Sequence, residues 1–81
     1  YKTILNEFII TMSKIENWSR DNIQKNIEDF LKLKNIKFPI LGKPTRFLLT
    51  NSYNGPSISD IFVILGKKDS MDRLNQYIEK S

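Results

Sequence analysis

The sequence predicts an all-α fold, a small bundle of about five helices in a single domain over residues 1–81. Three observations support this prediction. Apolar side chains recur at intervals of three or four residues, as they do on one face of a helix. Serine, aspartate, glycine and proline residues stand between these stretches, where helices begin and end. No stretch alternates apolar and polar residues in the way that a half-buried strand does.

The first two helices are predicted from their apolar faces. The first covers about residues 2–15 and has apolar residues at helical spacing: Ile4, Phe8, Met12 and Ile15. Ser19 can cap a second helix of about residues 20–34, because its oxygen can accept a hydrogen bond from a free backbone N–H. The inner face of that helix is formed by Ile23, Ile27, Phe30 and Leu31. We expect Trp18 to pack onto this helix, with stacking on a nucleobase as the alternative.

The third helix is predicted to be short. Residues 35–43 contain Pro39 and Gly42 and are expected to form a connector. Pro44 suits the first position of a helix over about residues 44–50, because the N–H that proline lacks is not needed there.

Residues four apart on this short helix share a face, which places Arg46 and Thr50 together. Phe47 and Leu48 are then expected to face the core. Residues 51–56 follow as a polar loop.

The last two helices are predicted from their end signals. Ser57 and Asp60 match a capping pattern for a helix of about residues 58–65, and Gly66 is placed to end it in a left-handed conformation. Its apolar stripe is Ile58, Ile61, Phe62 and Leu65. A final helix of about residues 70–80 should begin at Asp69 or Ser70. Its expected inward residues are Leu74, Tyr77 and Ile78.

The composition restricts the chemistry that this chain can carry. With 40% apolar and 27% charged residues, it resembles a globular domain rather than a disordered tail. It has no cysteine and no histidine, so it lacks thiolate zinc ligands, disulfides and the commonest general base. No apolar run approaches the roughly 20 residues of a membrane span. We therefore predict no catalytic residue, no metal site and no membrane partner. Because the chain begins at Tyr1 and not at methionine, we expect a fragment of a longer protein.

Positive charge is concentrated in the middle of the chain. Residues 1–29 hold four basic and five acidic side chains, and residues 60–81 hold four of each sign. Residues 30–59 hold five basic side chains and no acidic one, which accounts for the net excess. Such a cluster is either a well-solvated surface or a site that attracts a polyanion.

Arg46 and the loop after it are the main candidates for a ligand contact. A guanidinium can donate two parallel hydrogen bonds to a phosphate or a base edge, although Arg46 could instead form a surface ion pair with Asp60. Gly55 allows a close approach to the backbone, and Pro56 stiffens the start of the next helix. The backbone N–H groups of Ile58 and the residue after it should then be free to bind an anion. The alternative is an ordinary helix–helix connector.

Tyr53, in the same loop, is either a stacking platform for an unpaired base or a half-buried ring that covers the loop. Lys43 flanks the site and could attract phosphates. The residues that we predict to bind RNA are therefore Lys43, Arg46, Thr50, Tyr53, Gly55, Pro56 and Ile58.

These residues also carry a family resemblance. From about residue 43 onward, the chain resembles the C-terminal part of bacterial glutamyl-tRNA synthetase, and the likeness extends more weakly back through Trp18. The matching segments are Lys43-Pro44-Thr45-Arg46, Leu49-Thr50-Asn51, Gly55-Pro56-Ser57-Ile58, Ile64-Leu65-Gly66-Lys67 and Arg73-Leu74. Two positions depart from the family pattern: Thr45 replaces a leucine, and Asn51 replaces a glycine but tolerates left-handed geometry.

The resemblance implies a helical anticodon-binding domain of the class I glutamyl-tRNA synthetase type. It implies a partner, the anticodon loop of tRNA(Glu), contacted by Arg46, Gly55, Pro56 and Ile58. It further implies a monomeric, cytoplasmic parent enzyme that ligates glutamate to tRNA with ATP and Mg²⁺. The catalytic domain of that parent would lie elsewhere in the same chain, so this fragment itself should need no cofactor. Two rivals remain: a protein-interaction module for an acidic partner, and a stand-alone RNA-binding regulator.

Overall fold

A computed structural model of the chain describes residues 2–80 and contains five helices. They are α1 (Lys2–Ser13), α2 (Arg20–Lys34), α3 (Phe38–Thr50), α4 (Ile58–Leu65) and α5 (Lys67–Lys80). No strand occurs between residues 2 and 80, so the all-α prediction is confirmed. Tyr1 and Ser81, at the ends of the predicted domain, lie outside the described residues. None of the helices in the described part of the chain is both long and apolar enough to cross a membrane.

α1 ends earlier than predicted, whereas α2 has its predicted bounds. α1 ends at Ser13, two residues before the predicted end. Ile15 is nevertheless buried, and its carbonyl oxygen accepts a hydrogen bond from the Lys67 side chain at 2.7 Å. α2 has the predicted bounds, because the Ser19 side chain accepts from the Asn22 N–H at 3.3 Å and caps the helix.

The prediction for α3 was wrong at its start. The helix begins at Phe38, so Pro39 lies in its first turn and Pro44 lies inside it. Both prolines satisfy the local rule for a helix start, but residues 38–43 are helical rather than a connector because Leu41 and Gly42 are buried against the bundle. A Cβ at Gly42 would lie 2.6 Å from the partly exposed Phe38 ring one turn earlier on α3, so glycine at this position leaves room for that ring.

Gly66 both ends α4 and begins α5. Its N–H donates to the Phe62 carbonyl at 2.9 Å, and its own carbonyl accepts from the Ser70 N–H at 3.1 Å. Its φ of 85° is positive, but its ψ of 164° is extended, so the expected left-handed helical conformation does not form. This turn lets α5 begin at Lys67 rather than near residue 70, and Ser70 is buried inside α5.

The core is centred on aromatic rings from α1, α2 and α4. The Phe8 ring lies 5.3 Å from the Phe30 ring and 6.3 Å from the Phe62 ring, measured between centroids. Trp18 contacts Phe62 edge-on at 5.7 Å, and its indole N–H donates to the Phe62 carbonyl at 2.8 Å. Trp18 thus joins the start of α2 to α4, a contact that the sequence prediction did not name.

Candidate nucleic-acid interface

The side chain of Arg46 meets the Gly-Pro turn. Arg46 is half-buried on α3, and its guanidinium donates a hydrogen bond through Nη1 to the Pro56 carbonyl oxygen. A Cβ built at Gly55 would lie 3.9 Å from the same nitrogen. The turn is exposed, so Arg46 and the turn lie together on one accessible surface.

The alternative ion pair between Arg46 and Asp60 does not form. Asp60 instead accepts from the Arg20 side chain at 2.7 Å and from the Ser57 hydroxyl at 2.9 Å. The Ser57 hydrogen bond, with a smaller contribution from Arg20, lowers the pKa of the Asp60 carboxyl. Arg46 and Lys43 form no ion pair with any residue in the range 2–80.

Short-range hydrogen bonds shape the loop between α3 and α4. Asn51 ends α3 in the left-handed conformation, with φ 59° and ψ 30°, as its sequence position suggested. The Thr50 hydroxyl lies 2.9 Å from the Arg46 carbonyl oxygen, and the Ser52 hydroxyl accepts from the Asn54 N–H at 3.1 Å. Gly55 has a φ of 131°, which only glycine adopts readily. The loop therefore has a defined path up to the turn beneath Arg46.

The first two residues of α4 are buried. Ser57 caps the helix by accepting from the Asp60 N–H at 3.3 Å. Ile58 and Ser59 are only 3% and 1% exposed, and the Ser59 hydroxyl donates to the Gln24 side chain. The Ile58 side chain is therefore absent from the surface. Because Ile58 and Ser59 are almost completely buried, the part of this region that a ligand could reach is the exposed Gly55–Pro56 turn in front of the helix.

Phe47 is exposed, contrary to the sequence prediction. Buried residues recur every four positions on α3, at Leu41, Thr45 and Leu49, which turns Phe47 away from the core. Its ring stacks on Tyr53 with a centroid distance of 4.9 Å and an interplanar angle of 24°. Tyr53 is 64% exposed, so it does not form the half-buried cover that was the other interpretation of this residue.

A groove beside this aromatic pair separates α3 from α5 and has a volume of about 310 Å³. Tyr77, expected to face inward, is 38% exposed and lines it. The complete lining is Lys43, Pro44, Phe47, Leu48, Tyr53 and Tyr77. Phe47 and Tyr77 were both expected to face the core, so their place in this groove was not predicted from the sequence. The spacing of Leu41, Thr45 and Leu49 could have revealed Phe47, had α3 been extended to its true start.

The cations of the middle segment are only partly available. Lys34 forms an ion pair with Glu7 at 2.6 Å, so its charge is already balanced within the fold. Lys43 is exposed at the edge of the groove, near Arg46 in sequence. The described residues contain no group of three His, Cys, Asp or Glu side chains that could hold a metal ion.

Comparisons with known proteins point to one family. The sequence profile of the family described as "Anticodon binding domain" matches residues 1–78. The glutamate–tRNA ligase of Mycoplasma mycoides subsp. mycoides SC is 32% identical over 75 residues, which covers 93% of this chain and 16% of the ligase. The glutamate–tRNA ligase of Nitrosomonas europaea is 30% identical over 78 residues, covering 96% of this chain and 17% of the ligase.

Glutamate–tRNA ligase 1 of Fervidobacterium nodosum is 31% identical over 80 residues, covering 99% of this chain and 16% of the ligase. The chain thus spans only 16% to 17% of the length of these curated relatives. No solved structure matches the chain at a significant level.

Proposed function

The chain belongs to the anticodon binding domain family, and we propose that it binds the anticodon loop of tRNA(Glu) through Arg46 and the Gly55–Pro56 turn. The observation that carries this proposal is the hydrogen bond from the Arg46 guanidinium to the Pro56 carbonyl. It brings a cation and an exposed turn to one accessible surface. Unpaired bases of RNA are recognised at such surfaces, by hydrogen bonds to their edges and by stacking.

Arg46 is suited to reading a base because it is held in place. A guanidinium has five N–H donors in a rigid fork, and the bond to Pro56 occupies a donor on Nη1. The remaining donors can reach a base edge or a phosphate oxygen. Since the side chain is already fixed by the turn, less rotamer freedom is lost when RNA binds.

The other candidate residues have roles that follow from their positions. Gly55 and Pro56 let the RNA approach the backbone closely. Ile58 is buried, so it supports the turn by packing the start of α4 into the core instead of touching the RNA. Thr50, bonded to the Arg46 carbonyl, holds the end of α3, and Tyr53 offers an exposed ring for stacking.

Lys43 is exposed and unpaired within residues 2–80, so it supplies non-specific attraction to the phosphates. That attraction gives affinity, while Arg46 and the turn give sequence preference.

We further propose that the complete protein is a glutamate–tRNA ligase, a monomeric cytoplasmic enzyme that uses ATP and Mg²⁺. The names and the coverage of the relatives support this proposal. Ligation would then occur in a catalytic domain elsewhere in the same chain, and these 81 residues would contribute RNA binding without catalysis. An assay of ATP–pyrophosphate exchange by the 81-residue chain should give no activity above background.

Binding to a labelled RNA hairpin tests the central proposal. The hairpin is the anticodon stem and loop of tRNA(Glu), and the comparison RNA is the same stem as a blunt duplex. We expect the chain to bind the hairpin more tightly than the duplex at equal salt concentration, because only the hairpin offers unpaired bases. Equal affinity for the two RNAs would show a general attraction to phosphate and contradict the proposal.

A further inference from the structure

Three large apolar side chains are exposed around one groove. Phe47, Tyr53 and Tyr77 are 38%, 64% and 38% exposed, and all three line the groove between α3 and α5. The partly buried Leu48 lies between them. The groove has a volume of about 310 Å³, at the lower end of the range for small-molecule sites, roughly 300–1,000 Å³.

A second groove continues the first along α5. It also has a volume of about 310 Å³ and shares the side chains of Phe47, Leu48 and Tyr77 with the first. The residues that it adds are Thr50, Asn51, Arg73 and Gln76. The Arg73 guanidinium donates to the Leu49 carbonyl at 2.7 Å, which anchors it beside α3. The two grooves adjoin at these shared side chains, and each has one cation in its lining, Lys43 in the first and Arg73 in the second.

We propose that the groove between α3 and α5 holds an unpaired nucleobase of the bound RNA, stacked beside the Phe47–Tyr53 pair, with Lys43 or Arg73 facing its phosphate. This inference rests on the proposed function and adds a second nucleotide site to the surface at Arg46. The two sites adjoin, because Arg46 and Phe47 are consecutive on α3 and Tyr53 belongs to the loop that Arg46 contacts through Pro56.

Charge favours a nucleotide over an apolar protein segment in this groove. Among the described residues, those that line the two grooves include two cations and no carboxylate. A nucleotide combines an aromatic base, whose faces can stack on aromatic side chains, with a negatively charged phosphate, and the two grooves offer both aromatic side chains and cations. Base stacking on aromatic rings also tolerates any base, so this site would add affinity without demanding a particular sequence.

Two variants of Tyr53 separate stacking from simple apolar contact. Tyr53→Phe keeps the ring, and Tyr53→Leu keeps an apolar side chain without a ring. Affinity for the tRNA(Glu) anticodon hairpin is measured by fluorescence anisotropy, with a thermal melt of each variant. We expect Tyr53→Leu to bind roughly 10-fold more weakly, because a lost base–aromatic stack has about that effect, and Tyr53→Phe to bind like the parent chain. Ile64→Ala, which shortens a 73% exposed side chain on α4, is the control and should not change affinity.

Abasic nucleotides in the hairpin identify the base that stacks. Each loop nucleotide is replaced in turn, and binding is measured with the parent chain and with Tyr53→Leu. At one loop position, we expect the abasic replacement to weaken RNA binding by the parent chain but not by Tyr53→Leu, because the variant has already lost the contact with that base. The proposed site would be overturned if, at every loop position, the abasic replacement reduced affinity by the same factor in the parent chain and in Tyr53→Leu.

The outcomes also distinguish this inference from the proposed function. If Arg46→Ala weakens hairpin binding and Tyr53→Leu does not, the groove does not hold a base, whereas the proposed RNA contact through Arg46 and the Gly55–Pro56 turn is supported. A protein segment would then be the alternative occupant. If the parent chain fails to bind the hairpin, the proposed function fails and the nucleotide site fails with it.

Discussion

Arg46 on α3 donates a hydrogen bond to the carbonyl oxygen of Pro56, ten residues further along the chain. The guanidinium therefore lies against the turn that precedes α4, although a carboxylate, Asp60, follows only four residues later in sequence. Asp60 is occupied by Arg20 and Ser57. Positive charge is thus left unneutralised at an exposed Gly-Pro turn, which is the physical basis of the proposed RNA surface.

Replacing Arg46 should weaken RNA binding. Arg46→Ala would remove the proposed contact with a base, and we expect a loss of about 1–3 kcal/mol in the binding of the tRNA(Glu) hairpin. Arg46→Lys should recover only part of it, since an ammonium lacks the planar fork. Lys14→Ala, which removes an exposed charge at the end of α1, is the control. An equal loss for every hairpin sequence would mean that Arg46 touches phosphate alone, and no loss at all would exclude it from the site.

Gly55 and Gly66 offer a matched pair of substitutions. Both have positive φ, 131° and 85°, so alanine strains either position and should destabilise the fold by about 1–3 kcal/mol. Only Gly55 lies beside Arg46, whereas a Cβ at Gly66 would meet nothing within 4 Å. We expect both variants to melt at lower temperature and only Gly55→Ala to lose RNA affinity. If both variants lose the same RNA affinity, the loss results from damage to the fold and not from the position of Gly55 in the turn.

Thr45→Val should stabilise the fold. Thr45 is fully buried in α3, and its hydroxyl has no hydrogen-bond partner. A buried unsatisfied group costs about 1–3 kcal/mol, and valine has nearly the same shape, so the free energy of unfolding should rise by roughly 1–2 kcal/mol. Urea denaturation measures the change. A fall in stability would indicate that the hydroxyl bonds to the Leu41 carbonyl, one turn earlier.

Stability should fall in acid through Asp60. Its carboxyl has a pKa below the ordinary value of 3.8, because the charged form accepts hydrogen bonds from Ser57 and then Arg20. The pKa of this carboxyl is lower in the folded than in the unfolded chain, so its ionised form stabilises the fold at pH values above the unfolded pKa. That stabilisation is lost as the pH falls through the folded pKa. NMR titration should give a higher pKa for Asp60 in Ser57→Ala than in the parent chain. Asp60→Asn should show a flatter dependence of stability on pH below 3.8, and an unchanged slope would contradict this assignment.

The sequence predicted the features that depend on neighbouring residues. The Ser19 and Ser57 caps and the left-handed Asn51 each rest on hydrogen bonds within a few positions, and the structure has all three. The start of α3 could not be predicted in this way. Pro39 and Pro44 are equally suitable at a helix start, and the choice depends on how Leu41 and Gly42 pack in the bundle.

Contacts between distant segments decided the candidate site. Arg20 reaches Asp60 across 40 positions, and this pairing leaves Arg46 available for the turn. No local pattern indicates that pairing. The error in the start of α3 also hid the outward orientation of Phe47, and with it the aromatic groove. The sequence thus located the arginine and the turn but not the nucleotide groove beside them.

Competition between tRNAs tests the central claim most directly. The chain is bound to a labelled tRNA(Glu) anticodon hairpin, and unlabelled hairpins that differ only in the three anticodon bases are titrated at one salt concentration. If the surface at Arg46 and the Gly55–Pro56 turn reads the anticodon, the unlabelled tRNA(Glu) hairpin should displace the label at the lowest concentration, and Arg46→Ala should reduce that advantage. Displacement at the same concentration by every hairpin would contradict the claim.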